Sequence, residues 1–231
     1  MKKKLIVLTG AGMSAESGLS TFRDSDGLWE QHNVADVASI EGWYRNPQLV
    51  QNFYNQRRAE LKTHEPNKGH FLLKELERLF DVFIITQNVD NFHERAGSSH
   101  VLHLHGELTK MKSEKNELLV YETTEDIHMG ELAEDGAQLR PDIVWFGEAV
   151  PKMEDAIKLS RVADIFLVIG SSLQVYPAAS LIDFVPPNAA IFIIDPKPVH
   201  ATRKNMHFIQ KTASEGLQYF LQEITKTSSP K

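Results

Sequence analysis

The sequence predicts an α/β fold in which a parallel sheet carries helices on both faces. Two observations predict it. Short apolar runs rich in β-branched and aromatic residues recur at 5–8, 82–85, 101–104, 143–146, 165–169 and 191–194. Several are continuous rather than alternating, as in strands covered on both sides. Helical patterns fall between them, at 47–62, 68–80, 153–162 and 215–225, and strand alternating with helix requires crossover connections. Two stretches break the alternation. Residues 24–66 are aromatic-rich and helical with no strand, and 108–141 is polar and acidic with one expected strand at 118–121. We read these as insertions that build a smaller lobe beside the sheet. The larger lobe is then about 1–23, 67–107 and 142–226 of a single domain spanning 1–231.

Composition bounds the function. The 231 residues are 42% hydrophobic, which suits one substantial core and excludes general disorder. Lys and Arg number 25 against 31 Asp and Glu, a net charge of −6, so the electrostatic footprint of a general nucleic-acid binder is missing. There is no cysteine, which excludes disulfides, thiol catalysis and thiolate-bound zinc. The N-terminal lysines followed by Leu5-Ile6-Val7-Leu8 imitate a signal peptide, but the apolar run is short and leads into Gly10-Ala11-Gly12. A buried strand explains it better. No run is long enough to span a membrane, and a soluble, cytoplasmic monomer is expected.

The polar motifs follow the strands. Gly10-Ala11-Gly12 follows the first, Thr86-Gln87-Asn88-Val89-Asp90 the second and His105-Gly106-Glu107 the third. Gly170-Ser171-Ser172 and Asp195-Pro196 follow the last two. In open α/β sheets of the Rossmann-like kind, ligands bind at the carboxyl ends of the strands, so these loops converge on one crevice. The loop from Gly10 to Gly18 is small enough for a pyrophosphate to approach its backbone. It lacks the Walker Gly-Lys-Ser/Thr ending. No acidic strand end lies about 20 residues past the glycines, where a hydride-transfer enzyme carries one; Asp24 and Asp26 fall in helical sequence.

Residues 10–23, Gly-Ala-Gly-Met-Ser-Ala-Glu-Ser-Gly-Leu-Ser-Thr-Phe-Arg, resemble the first signature of the sirtuins, the NAD-dependent protein deacylases. Residues 86–90 and 105–107 are similar to the second and third. Further matches are Val144-Trp145-Phe146-Gly147-Glu148 and Gly170-Ser171-Ser172-Leu173-Gln174-Val175. They stand in the family's order across roughly residues 5–216. The resemblance implies that Gly10, Ala11, Gly12 and Ser171 hold the phosphates of NAD. Ser14, Gly170 and Ala213 belong to the same site, and Ser172 and Asp195 lie along the adenosine half. Phe22 and Arg23 form part of a cofactor-binding loop. Asn88, Val89 and Asp90 line the nicotinamide pocket, with Gln87 on the ribose and His105 as general base. The implied reaction starts with attack of the acyl-lysine carbonyl oxygen on C1′ of the nicotinamide ribose. It yields nicotinamide, free lysine and O-acyl-ADP-ribose. His103 starts on the same face of the strand as His105, and only the Gly106-Glu107 that follows singles out His105. Residues 144–148, with Val175, are implied to hold the acylated protein lysine by β-strand addition.

The departures matter as much. The family commonly holds a structural zinc on two cysteine pairs that this chain lacks. His128, Glu122, Asp126, Glu131 and Asp135 read better as a solvated acidic face than as replacements, so no metal is expected. Apolar packing through Leu118, Leu119, Val120 and Tyr121 is expected to hold the small lobe. Ser20 stands where the family often has proline. Tyr54 and Arg57 lie three apart on one helical face and look like the Tyr-x-x-Arg pair of sirtuins that prefer succinyl, malonyl or glutaryl groups. An Arg fork suits a carboxylate and a phenol adds a donor. The same site could serve ADP-ribosyl transfer or NAD hydrolysis. A non-catalytic NAD sensor and a dehydrogenase fit the motifs less well.

Overall fold

In the computed structural model, residues 2–19, 32–199, 203 and 205–227 are described. Nine strands are found among them: β1 (Lys4–Thr9), β2 (Asp81–Thr86), β3 (Val101–His103), β4 (Gly106–Ser113), β5 (Val120–Glu122), β6 (Leu139–Ile143), β7 (Ile165–Ile169), β8 (Ala190–Ile194) and β9 (Met206–Ile209). The helices are α1 (Val34–Val37), α2 (Ile40–Arg45), α3 (Pro47–Thr63), α4 (Lys68–Leu76), α5 (Phe92–Arg95), α6 (Met153–Ser160) and α7 (Ala213–Thr227).

Six strands form a parallel sheet in the order β3-β2-β1-β7-β8-β9. The chain builds outward from β1 in one direction, then returns to its other side, so the order reverses between β1 and β7. Side chains alternate across each strand. Leu5 and Val7 therefore join Leu73, Leu76, Leu217 and Phe220 beneath α4 and α7. Ile6 and Leu8 join Ala156, Phe166, Leu181 and Ile191 beneath α6 and the 3-10 segment Ala178–Phe184. Both faces are covered, which is why these strands read as continuous apolar runs. The sheet is a Rossmann-like one, as the sequence predicts.

A second, antiparallel sheet in the order β5-β4-β6 makes the smaller lobe. It begins at Gly106 and ends at Ile143, slightly outside the expected 108–141. The 143–146 run is no strand of the large sheet. Its first residue ends β6, and Trp145 turns into an aromatic core with Trp43, Phe53, Tyr54 and Phe92. Apolar burial against helices, not strand pairing, explains that run. β4 and β9 escape the sequence reading because each is edged by polar or exposed residues. β4 carries Lys110 and Lys112, and β9 is a half-exposed edge.

The expectation about Leu118 and Val120 is also corrected. Leu118 is 90% exposed and Val120 lies on the surface. The lobe closes over Ile127, Ala133 and Leu139, with Met111 and Tyr121 against them. Polar clamps do the rest. Gln138 donates to the carbonyls of His128, Glu131 and Leu139 and accepts from the Gly130 amide. Among the described residues no helix is long and apolar enough to cross a membrane, and no cluster of three His, Asp or Glu is arranged to hold a metal.

Candidate active site

The order reversal places the ends of β1 and β7 side by side. The Gly10 amide donates to the Ile169 carbonyl at 3.0 Å and the Gly12 amide to the Gly170 carbonyl at 3.0 Å. Main chain meets main chain here. A Cβ on Gly10 would lie 2.6 Å from the Gly170 oxygen, and one on Gly12 2.7 Å from the Gly170 Cα. Gly170 has φ +60°, and a Cβ there would overlap the Met13 amide. Side chains are excluded on steric grounds, and Ala11 is left exposed at the tip of the loop.

The loop after β2 closes the next side. Thr9 and Thr86 are paired in register at the ends of β1 and β2, and Thr9 Oγ1 donates to Thr86 Oγ1 at 2.8 Å. Thr86 Oγ1 accepts the Asn88 amide at 3.0 Å, starting the turn. Asn88 Nδ2 donates to Ser14 Oγ at 3.1 Å, and Ser14 Oγ donates to Asp90 Oδ2 at 2.8 Å. The Phe92 amide donates to Asp90 Oδ1 at 3.2 Å. Asp90 is buried, and burial raises its pKa against the opposing pull of the Ser14 and Phe92 hydrogen bonds. Gln87 Nε2 donates to Ser171 Oγ at 3.0 Å, tying this turn to the loop after β7.

The two histidines of the third motif differ by environment. His105 Nδ1 lies 3.1 Å from the Gln87 carbonyl. A carbonyl only accepts, so Nδ1 carries the proton and Nε2 keeps its lone pair. Burial lowers the His105 pKa, and the Gln87 hydrogen bond only partly opposes it. Its imidazole is thus uncharged near pH 7. His103 contacts the Asn88 carbonyl at 3.1 Å and Glu94 Oε1 at 2.9 Å. Both partners are acceptors. Burial works against its charge, but the Glu94 hydrogen bond and the charges of Glu107 and Glu94 prevail, and its pKa is raised. A proton on each ring nitrogen serves both acceptors and pairs His103 with Glu94.

Farther along the crevice, Ser172 is half-buried after β7, and Asp195 follows β8, accepting the Lys197 amide at 2.8 Å. Ala213 opens α7. Glu16 Oε2 accepts the Ser214 amide at 2.8 Å and Glu16 Oε1 accepts from Thr212 Oγ1 at 3.2 Å, so the first loop caps the first turn of α7. Phe22 and Arg23 lie outside the described residues.

On the other side stand Tyr54 and Arg57, buried one turn apart on α3. Burial raises the Tyr54 pKa and keeps it a neutral phenol. Burial also lowers the Arg57 pKa, opposed by the charges of Glu60, Tyr54 and Asp90. Val144 donates its amide to the His105 carbonyl at 2.9 Å. Trp145 is buried against Trp43 and beneath the Arg140 guanidinium, 3.5 Å from its ring centre. The Phe146 amide donates to Ala38 and its carbonyl accepts from Ile40. Glu148 is bound at both oxygens by Arg140, at 2.8 and 2.9 Å, and also accepts the Trp145 amide. The side chains of Glu148 and Trp145 are thus taken up inside the protein. They build the turn from behind, leaving the exposed Phe146 and the half-buried Val175 as side chains that face outward. The amides of Val144, Trp145, Phe146 and Glu148 are all engaged within the protein.

The sequence reading missed several residues that hold these loops. Thr9 and Thr86 were legible as paired polar ends of apolar runs. Asn67 caps α4 and donates to the Met13 carbonyl at 2.8 Å and Ser17 Oγ at 3.1 Å. His70 and His93 are buried with ring centres 4.9 Å apart, and His93 Nε2 lies 3.1 Å from Thr9 Oγ1. Nothing in local pattern singles out His93.

A parallel sheet in this order, with glycine loops at its reversal and a histidine beside a buried Asn–Ser–Asp cluster, defines an α/β protein of the dinucleotide-binding class. The Sir2 family model matches residues 10–177, and the chain belongs to that family. It is 56% identical over 223 residues to an NAD-dependent protein deacylase of Bacteroides thetaiotaomicron, covering 94% of this chain and 95% of that one. It is 53% identical over 228 residues to an NAD-dependent protein deacylase of Helicobacter pylori, covering 98% and 100%. Among solved structures, a Sir2 homologue in complex with NAD superposes with TM-score 0.84 at 35% identity, covering 99% of this chain and 91% of that one. An ADP-ribose complex of a Sir2 homologue mutant gives TM-score 0.85 at 35% identity, covering 100% and 95%.

Proposed function

We infer that this Sir2-family chain is an NAD-dependent enzyme that removes acyl groups from protein lysines, with preference for short acidic acyl groups. One observation carries the reading. His105 Nδ1 lies 3.1 Å from the Gln87 carbonyl, in the same turn that bears Asn88 and Asp90.

The residues present suit NAD. The buried carboxylate of Asp90 retains acceptor capacity beyond its Ser14 and Phe92 bonds, which matches a carboxamide NH₂. The side-chain-free contact of Gly10, Gly12 and Gly170 brings backbone close to where phosphates lie at a sheet reversal. Bound NAD supplies an electrophilic ribose carbon whose leaving group is nicotinamide. Asn88 and Asp90 orient the carboxamide, Gln87 and Ser171 keep their two loops in register, and buried walls exclude water. With NAD bound, His105 would take a proton from a ribose hydroxyl at Nε2, whose lone pair stays free because Nδ1 holds the ring's proton toward the Gln87 carbonyl. His103, held as a cation by Glu94, anchors the Asn88 carbonyl. Gly147 and Val175 lie along the acyl-lysine strand, with Phe146 beside its stem. Tyr54 and Arg57 meet the distal carboxylate of a succinyl or malonyl group: the phenol stays protonated as a donor and the guanidinium supplies charge.

The test is incubation of the protein with NAD and matched acetyl-, succinyl- and malonyl-lysine peptides, with products read by mass spectrometry. Peptide-dependent nicotinamide release, fastest with the acidic acyl groups, is the expected result. Nicotinamide release at the same rate without peptide would overturn the deacylase reading, and a faster acetyl reaction would overturn the acyl preference.

A further inference from the structure

The stripe of α3 adjoining Tyr54 and Arg57 is polar and buried. Gln51, Asn55 and Arg58 recur at i, i+4 and i+7, and so share one side of the helix. Their relative exposures are 0%, 8% and 2%. All three donate to main-chain carbonyls. Gln51 Nε2 donates to the Leu139 carbonyl at 3.3 Å. Asn55 clamps Ile127 in both directions: Nδ2 donates to its carbonyl at 2.9 Å and Oδ1 accepts its amide at 3.0 Å. Arg58 Nη1 donates to Asn55 Oδ1 at 2.8 Å and Nε donates to the Leu108 carbonyl at 2.7 Å. The Leu108 amide in turn donates to the Val89 carbonyl at 2.8 Å. A continuous line of bonds therefore runs from Ile127 in the small lobe, through α3, to the turn between Asn88 and Asp90.

We propose that Asn55 and Arg58 are positioning residues that set acyl-group selectivity by fixing α3 between the small lobe and the Val89 turn. The proposal rests on the reading that Tyr54 and Arg57 meet the acyl group. Apolar packing resists separation of a helix from its neighbours but tolerates small rotations and slides. Directional bonds to three separate carbonyls and one amide do not, because moving the helix leaves buried polar groups without partners. On that reading, the spacing between the Tyr54–Arg57 stripe and the Val89 turn sets the room for the acyl chain. Releasing the clamp changes that room while leaving the glycine loops and His105 in place. A misplacement of about 1 Å is enough to cost up to about 100-fold in rate.

The experiment uses the full chain with NAD saturating and compares wild type, Asn55→Ala, Arg58→Lys and Arg57→Met on succinyl- and acetyl-lysine peptides. Hydrogen exchange over residues 123–131 is measured alongside. Asn55→Ala is expected to lower kcat/KM for the succinyl peptide about 10-fold, through KM, with acetyl kcat/KM and the KM for NAD changed less than about 3-fold. Exchange near Ile127 should rise. Arg58→Lys, which gives up one of two acceptors, should shift the succinyl-to-acetyl ratio in the same direction by less, and it serves if Asn55→Ala does not fold. Equal losses on both peptides, or faster exchange with an unchanged ratio, overturn the proposal. Should Arg57→Met fail to separate the two peptides, the acidic-acyl reading itself falls. If Arg57→Met separates them and the Asn55 and Arg58 variants do not, only the positioning role falls.

Discussion

Replacing Gly170 by alanine tests whether the backbone contact at the sheet reversal holds the cofactor crevice together. Gly170 adopts φ +60°, a left-handed conformation that costs an L-residue about 1–2 kcal/mol. The added methyl would also meet the Met13 amide and the Gly12 carbonyl carbon. Neither can move freely, because Gly12 donates to Gly170 and Met13 to the Gly10 carbonyl at 2.9 Å. Overpacking of this kind costs about 1–3 kcal/mol. The sum, about 2–5 kcal/mol, corresponds to a loss of roughly 4–20 °C in Tm for a chain of this size. The next residue, Ser171, receives the Gln87 bond, so displacement should also raise the KM for NAD. Differential scanning calorimetry and NAD titration of Gly170→Ala measure both. A variant with wild-type Tm and unchanged KM for NAD would refute the claim that close main-chain packing shapes this loop.

Other outcomes follow from the same geometry. His105→Ala should reduce deacylation by about 100- to 10,000-fold with NAD binding largely kept, measured by steady-state kinetics and isothermal titration. Because burial lowers the His105 pKa, the acid limb of kcat/KM should fall below the ordinary histidine value of about 6.5; a limb above 7 contradicts the assignment. Arg57→Met should lower succinyl kcat/KM about 10- to 100-fold through loss of a charge-assisted hydrogen bond, with little change on acetyl peptide. His70 is buried and neutral, and burial holds its pKa down to about 4. The unfolded chain therefore binds a proton that the folded chain refuses, and this single group removes about 3 kcal/mol of stability as pH falls from 6.5 to 4. Urea denaturation across that window should show a shallower pH dependence in His70→Gln than in wild type.

The parallel sheet was legible because burial on both faces forces continuous apolar runs, and a buried strand has few other ways to be written. The crevice was legible for a related reason. Residues such as Gly10, Asn88 and Ser171 sit where strands end, and topology sends every such end of a parallel sheet to one edge. Local sequence carries no such constraint for the rest. Pattern separates His105 from His103 only by the Gly106-Glu107 that follows; their different surroundings, Glu94 beside His103 and the Gln87 carbonyl beside His105, come from the fold. Nothing in the sequence shows that Arg140 binds both oxygens of Glu148. Leu118 reads as core and is exposed, while the polar Asn55 and Arg58 are buried. The sequence by itself determined the layering and the edge at which chemistry gathers, since both follow from periodicity and chain order. Charge states and the clamp on α3 depended on partners apart in the chain, and only the tertiary structure could bring those together.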